Sequence, residues 1–311
     1  MQLNNTKQNI LKTLSYFDVF NYPLTRDEIL SFSAEKHDQP FIDESLILLI
    51  SERVIFKLGE FYALKDQPFL AERRRIGNQR AIKQISIAKK VAKLLSCFPF
   101  VQSIAVSGSL SKNFAEKKSD IDFFVITSAN RLWIARTCMH LLKKFSFLFK
   151  KQDWFCMNYY IDETGLTIIE KNIFTAMEIV TLLPLQGIDC FQNFIDANSW
   201  TENYFPAKCI LINNAGKIKR GFLRKCIEKV FSSRFGDAVE KWLMNLTDKR
   251  WKRKTQQGKL NDHGRRIGMI VDPHFSKPDP KNFQDKVVQQ YENRVQQLLK
   301  TNQLEAVDIS L

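Results

Sequence analysis

Asp120 and Asp122 stand one residue apart at the head of an apolar run, Phe123-Phe124-Val125-Ile126. On a β-strand, side chains two residues apart share a face, so both carboxylates can reach one cation while Ile121 and Phe123 pack behind them. Magnesium, or manganese in its place, takes hard oxygen ligands; one or two carboxylates suffice when water and substrate phosphates complete the shell. Upstream, Val106-Ser107-Gly108-Ser109 ends another apolar run. Gly108 lets the backbone approach a phosphate closely, and Ser109 offers a hydroxyl and an amide. Ten residues separate Ser109 from Asp120, and within them Lys112 and Asn113 are candidate phosphate contacts. The alternative for the Asp pair is a strand-edge pair in solvent; the Gly-Ser partner at this spacing favours a nucleoside triphosphate and metal site.

These side chains need strands on either side of a loop, and residues 100–169 supply that pattern. Val101 to Val106 reads as a strand, Asp120 to Thr127 as a second, Leu132 to Phe149 as a helix and Trp154 to Ile161 as a third strand. Ahead of them, Phe69 to Leu95 is a long basic amphipathic helix with Ile82, Ile85, Ala88, Val91, Ala92 and Leu95 along one stripe. Residues 9–64 read as three helices and a short β-ribbon, the order of a winged helix. Thr25-Arg26-Asp27-Glu28 is a capping-box sequence. The third helix carries Asp43, Glu44 and Glu52 and is acidic for a DNA-reading element, which favours protein docking or a structural use.

The segment VSGSLSKNFAEKKSDIDFFVI resembles the signature of the DNA polymerase β-type nucleotidyltransferase superfamily: Gly-Ser, a spacer, then Asp-hydrophobic-Asp. A wider resemblance covers most of residues 10–205, pairing the YFDVFNYPLT module with a later CMNYY strand as in an uncharacterised bacterial nucleotidyltransferase-domain family. The resemblance implies an α/β (α+β) fold, a small mixed sheet flanked by helices, to which the residue pattern adds an N-terminal winged-helix-like module and a helical C-terminal region. It also implies a magnesium-dependent transfer of a nucleoside monophosphate from an NTP, with release of pyrophosphate. Asp120 and Asp122 would be the metal ligands and, with Asn158, the catalytic residues, and Gly108 and Ser109 the phosphate cradle. Such enzymes carry a third carboxylate on the next core strand, where this chain has Asn158, which can ligate but cannot act as a base. Asp162, Glu170 and Asp153 are the substitutes within reach of a different register. The alternative to an enzyme is a catalytically degenerate nucleotide sensor or nucleic-acid-binding regulator.

The expected division is a winged-helix-like module over 1–66, a basic linking helix over 67–98, the nucleotidyltransferase domain over 99–205 and a helical region over 206–311. A formal charge of +14 and a pI near 9.5 favour an anionic partner. The acceptor is open between a small molecule, a protein and an RNA end. Lys249-Arg250-Trp251-Lys252-Arg253-Lys254 interleaves an aromatic with five cations and could bind nucleic acid or stay solvated. Six cysteines (Cys97, Cys138, Cys156, Cys190, Cys209 and Cys226) show no paired spacing, against a zinc site and for reduced thiols. His263 and His274 read as fillers. With no apolar run long enough for a membrane span and no signal-peptide pattern at MQLNNTKQNILKTL, a cytoplasmic location is expected.

Overall fold

The computed structural model describes residues 2–149, 152–208, 210, 215–260, 268–278 and 283–301, so Cys209 and His263 lie outside the described residues. The N-terminal part runs α1 (Gln2–Asp18), β1 (Leu24–Thr25), α2 (Arg26–Ser31), α3 (Gln39–Ser51), β2 (Phe56–Leu58) and β3 (Phe61–Ala63). Its strands form an antiparallel sheet in the order β1-β3-β2. Ile10, Leu11, Leu14 and Phe17 recur at helical spacing and are all buried, which fixes the face α1 turns inward. The Thr25 hydroxyl accepts the Glu28 amide at 3.2 Å while the Glu28 carboxylate accepts the Thr25 amide at 2.9 Å, so the expected capping box opens α2. Asp43 of α3 is neutralised by Arg26 at 2.5 Å, and Glu52, which caps the end of that helix, by Lys7 at 2.7 Å.

Helix α4 (Phe69–Leu95) crosses to a second sheet built from β4 (Val101–Val106), β5 (Asp122–Thr127), β6 (Cys156–Asp162), β7 (Leu183–Gln186), β8 (Met269–Val271) and β9 (Phe275–Pro278). The order is β7-β4-β5-β6-β9-β8, with β5 and β6 parallel and every other pair antiparallel. Between the strands lie α5 (Gly108–Ser111), α6 (Leu132–Ser146), α7 (Ile173–Val180) and α8 (Ile188–Ala197). One face of the sheet, with Ile104, Val106, Phe123, Val125 and Tyr160, packs on α4 and on Trp133 and Met139 of α6. The other face, with Ala105, Phe124, Ile126 and Ile161, packs on Ile179 of α7 and on Phe191 and Phe194 of α8. Both faces are covered, and so the strands read as continuous apolar runs.

The C-terminal part adds α9 (Phe222–Phe231), α10 (Arg234–Gln256) and α11 (Phe283–Thr301). The reading of 206–311 as helical is incomplete, because β8 and β9 from this part extend the sheet beyond β6. Strands of three and four residues are too short to display a period-two pattern against flanking turn residues. Among the described residues, no helix is long and apolar enough to cross a membrane.

Candidate active site

Strand β4 ends at Val106, and the chain turns at Gly108 with φ +70°, a left-handed conformation that glycine adopts without strain. A Cβ built on Gly108 would lie 3.1 Å from Asp122 Oδ2, so the glycine backbone and the Asp122 carboxylate are in direct apposition. The Ser107 amide donates to the Asp122 carbonyl at 2.9 Å and holds the two strand ends together. Ser109 is exposed, and Asn113 takes a left-handed φ of 57° just past α5. Lys112 turns back over the loop: its ammonium donates to the Gly108 carbonyl at 3.2 Å and to the Glu178 carboxylate of α7 at 2.8 Å.

The two aspartates differ in setting. Strand β5 begins at Asp122, while Asp120 is exposed on the approach and the Ile121 amide between them donates to the Asp153 carbonyl at 2.9 Å. Ile121 and Phe123 pack behind the pair, as the alternation requires. Burial pushes the Asp122 carboxyl up to about 6; a hydrogen bond from the Cys156 thiol opposes this, the charges of Asp120 and Glu178 reinforce it, and Lys143 opposes it. The Cys156 thiol is pushed up to about 12, first by burial and then by Asp122. A carboxylate held away from water beside two other acids favours a bound cation over the bare ionised state. Among the described residues, no cluster of three or more His, Cys, Asp and Glu side chains could hold a metal. The Asp pair by itself suits an ion that draws its remaining ligands from water and phosphate.

On β6 the register with β5 steps from Phe123–Met157 to Phe124–Tyr159, so Asn158 is the extra residue of a bulge and is exposed. The side chain paired opposite Asp122 is Cys156. Asp162 pairs opposite Thr127, at the other end of these parallel strands, and is wholly buried. It accepts the amides of Asn130, Thr164 and Gly165, and meets His274 Nδ1 at 3.1 Å, which makes both residues part of a turn remote from Asp122. Glu170 is paired with Lys277 at 2.5 Å.

Three contributors escaped the sequence reading: Glu178, Cys156 and Tyr22. The Tyr22 hydroxyl, from the turn after α1, donates to the Lys112 carbonyl, and its ring meets Phe114 edge-on at 5.7 Å. Arg73 of α4 lies 4.6 Å above the same Phe114 ring and pairs with Glu116 at 2.6 Å. The spacer between Gly108 and Asp120 is therefore clamped by the N-terminal part and α4. A signal for Glu178 exists in the sequence, since it is the single charged residue between Lys171 and Asp189.

Elsewhere, the basic run ends α10. Leu246, Lys249, Arg250, Arg253, Lys254 and Gln257 line a cleft of about 420 Å³, and Lys254 caps the Trp251 ring at 4.6 Å.

Residues 85–175, from the last turns of α4 through β6 to the start of α7, match the nucleotidyltransferase domain family. No curated protein and no solved structure matches the chain. A Gly-Ser turn apposed to a half-buried aspartate, on a small mixed sheet flanked by helices, lies inside that match, and residues 85–175 thus form a nucleotidyltransferase domain of the DNA polymerase β-type superfamily, a domain that implies a nucleotide substrate.

Proposed function

We propose that the protein is a magnesium-dependent nucleotidyltransferase that moves a nucleoside monophosphate from an NTP to an acceptor and releases pyrophosphate. The observation that carries this reading is the apposition of Asp122 to the left-handed Gly108 turn within the matched domain. Asp120 and Asp122 would hold magnesium, with manganese able to replace it. When bound, the ion would offset negative charge on the phosphates during transfer. Gly108 gives the phosphates room to approach the backbone, Ser109 offers its exposed hydroxyl, and Lys112 and Asn113 border the same turn. The acceptor attacks the α-phosphorus, the α–β phosphoanhydride bond breaks, and pyrophosphate carries away the electron pair.

A second reading, a nucleotide sensor with reduced catalytic power, is favoured by one observation. Asn158 is bulged and exposed, and Cys156 occupies the pairing position opposite Asp122, so β6 brings no carboxylate to the Asp pair. The N-terminal module, read as a winged helix, is proposed to dock protein or to serve a structural role, because α3 carries Asp43 and Glu44 and no Lys or Arg, and so lacks the cationic face that duplex DNA requires.

The test is titration of ATP, GTP, CTP and UTP with and without magnesium into the wild type and the double variant Asp120→Asn/Asp122→Asn, followed by a pyrophosphate-release assay supplied with cell extract. Magnesium-dependent binding that the variant loses, with release of pyrophosphate, is expected. Binding without release supports the sensor, and a variant that keeps magnesium-dependent binding overturns the site.

A further inference from the structure

Glu178 sits on a helix whose Ala176, Met177, Ile179 and Val180 are buried, the lone charge in an apolar segment. Its partner is Lys112 at 2.8 Å, with the two side chains 32% and 15% exposed. The same ammonium reaches the Gly108 carbonyl, and the Lys112 backbone is pinned by the Tyr22 hydroxyl. A cation at the mouth of the Gly108 turn is thus engaged by an anion of the protein itself.

A second observation lies on α1. Tyr16 of α1 is 2% exposed, shares a core with Met177, and its hydroxyl has no hydrogen-bond partner. A buried donor left unpaired costs about 1–3 kcal/mol. Burial raises the Tyr16 pKa, and the charge of Glu178 adds to the shift. The acid that holds Lys112 is therefore also the acid that acts on an orphaned donor in the N-terminal part.

We propose that Glu178 is a displaceable internal substitute for phosphate: it engages Lys112 in the resting site, a triphosphate takes Lys112 from it, and the released carboxylate accepts the Tyr16 hydroxyl. The proposal rests on the reading of the Gly108 turn as the nucleotide site. Two consequences follow from the chemistry. A ligand must out-compete a carboxylate at 2.8 Å, which favours the densely charged triphosphate over inorganic phosphate. Occupation of the site also reaches α1, because a carboxylate released by Lys112 is free to turn towards the Tyr16 hydroxyl.

Inorganic tripolyphosphate, with and without magnesium, is the probe, its affinity measured by calorimetric titration and compared with inorganic phosphate. Glu178→Gln removes the internal competitor and is expected to tighten tripolyphosphate binding about tenfold and to narrow the preference over phosphate. Tyr16→Phe removes the second seat and is expected to weaken binding several-fold in the wild-type background, but to have no effect on top of Glu178→Gln. Glu178→Ala, expected to act in the same direction as Glu178→Gln, is the fallback should the amide variant fold poorly. Unchanged or weaker binding in the Glu178 variants overturns the substitution, and a Tyr16→Phe effect that persists without Glu178 overturns the relay. A wild type that binds no tripolyphosphate even with magnesium overturns the nucleotide-site reading beneath both.

Discussion

Gly108 places a left-handed backbone against Asp122, and each half of that contact makes a separate demand on the residue type. An L-residue at this φ costs about 1 kcal/mol, a small part of a domain stability of about 5–15 kcal/mol. The added Cβ would meet Asp122 Oδ2 at 3.1 Å, closer than most Cβ contacts, so the carboxylate has to move. Gly108→Ala is therefore expected to lower the melting temperature only slightly while weakening magnesium-dependent nucleotide binding at least tenfold. Binding equal to the wild type in the titration would separate Gly108 from the site. Asp122 itself is held in an environment that burial makes unfavourable to its ionised form, so the site is kept at some expense to stability. Asp120→Asn/Asp122→Asn is accordingly expected to melt no lower than the wild type at neutral pH.

At the scale of elements, α6 and α4 show how distant residues complete a local structure. Helix α6 has no side-chain cap of its own, and its first-turn amides at Trp133 and Ile134 donate instead to the Glu240 carboxylate of α10, at 2.5 and 2.9 Å. Burial pushes the Glu240 carboxyl up from 4.5 to about 7, opposed by those two amides and by Arg131. A carboxyl whose folded value lies above its unfolded one binds protons more tightly in the folded state. Its contribution to stability is full below about 4.5 and is lost as pH rises towards 7. Melting temperatures measured between pH 5 and pH 7.5 should fall with rising pH in the wild type, with Glu240 contributing an amount equivalent to about 2 kcal/mol beside the smaller share of Asp122, and the slope should become shallower by the Glu240 share in Glu240→Gln. A slope unchanged in the variant assigns that share to another group. In α4, a Cβ on Gly77 would lie 2.2 Å from the Phe114 ring, which is fixed by Tyr22 and Arg73. Ala for Gly inside a helix gains about 1 kcal/mol, whereas overpacking a fixed ring costs about 1–3 kcal/mol. Gly77→Ala should therefore lower the melting temperature. A rise would mean that Phe114 can yield.

Across the molecule, the N-terminal part and the nucleotidyltransferase domain share one core. Ile10, Leu14 and Phe17 of α1 cluster with Phe114 from the active-site spacer, Met177 and Val180 of α7, and Val287 of α11. Arg74, 2% exposed, ties the junction: it donates to the Pro23 carbonyl at 2.7 Å and to Glu28 at 2.6 Å, and lies 3.8 Å above the Tyr22 ring. Parts joined through a common apolar core unfold together. Calorimetry of the wild type should thus give one transition. Arg74→Ala, which leaves a carbonyl and a carboxylate without their cation, should lower its midpoint by an amount equivalent to about 2–4 kcal/mol. Two separate transitions in the wild type would contradict a shared core.

The Gly-Ser turn, the Asp pair, strand Val101–Val106 and helix Phe69–Leu95 are all legible in the amino-acid sequence, because each rests on residue type and local period. The capping box at Thr25 is legible for the same reason. The tertiary structure alone decides which acids approach the pair. Asp162 lies four residues beyond Asn158, yet strand direction carries it to the opposite end of β5. A single bulge turns Asn158 to solvent and sets Cys156 against Asp122. Glu178, 66 residues from Lys112, arrives because α7 packs on a core shared with α1. Register, bulges and helix packing depend on which surfaces meet, and no local pattern of residue types specifies that encounter.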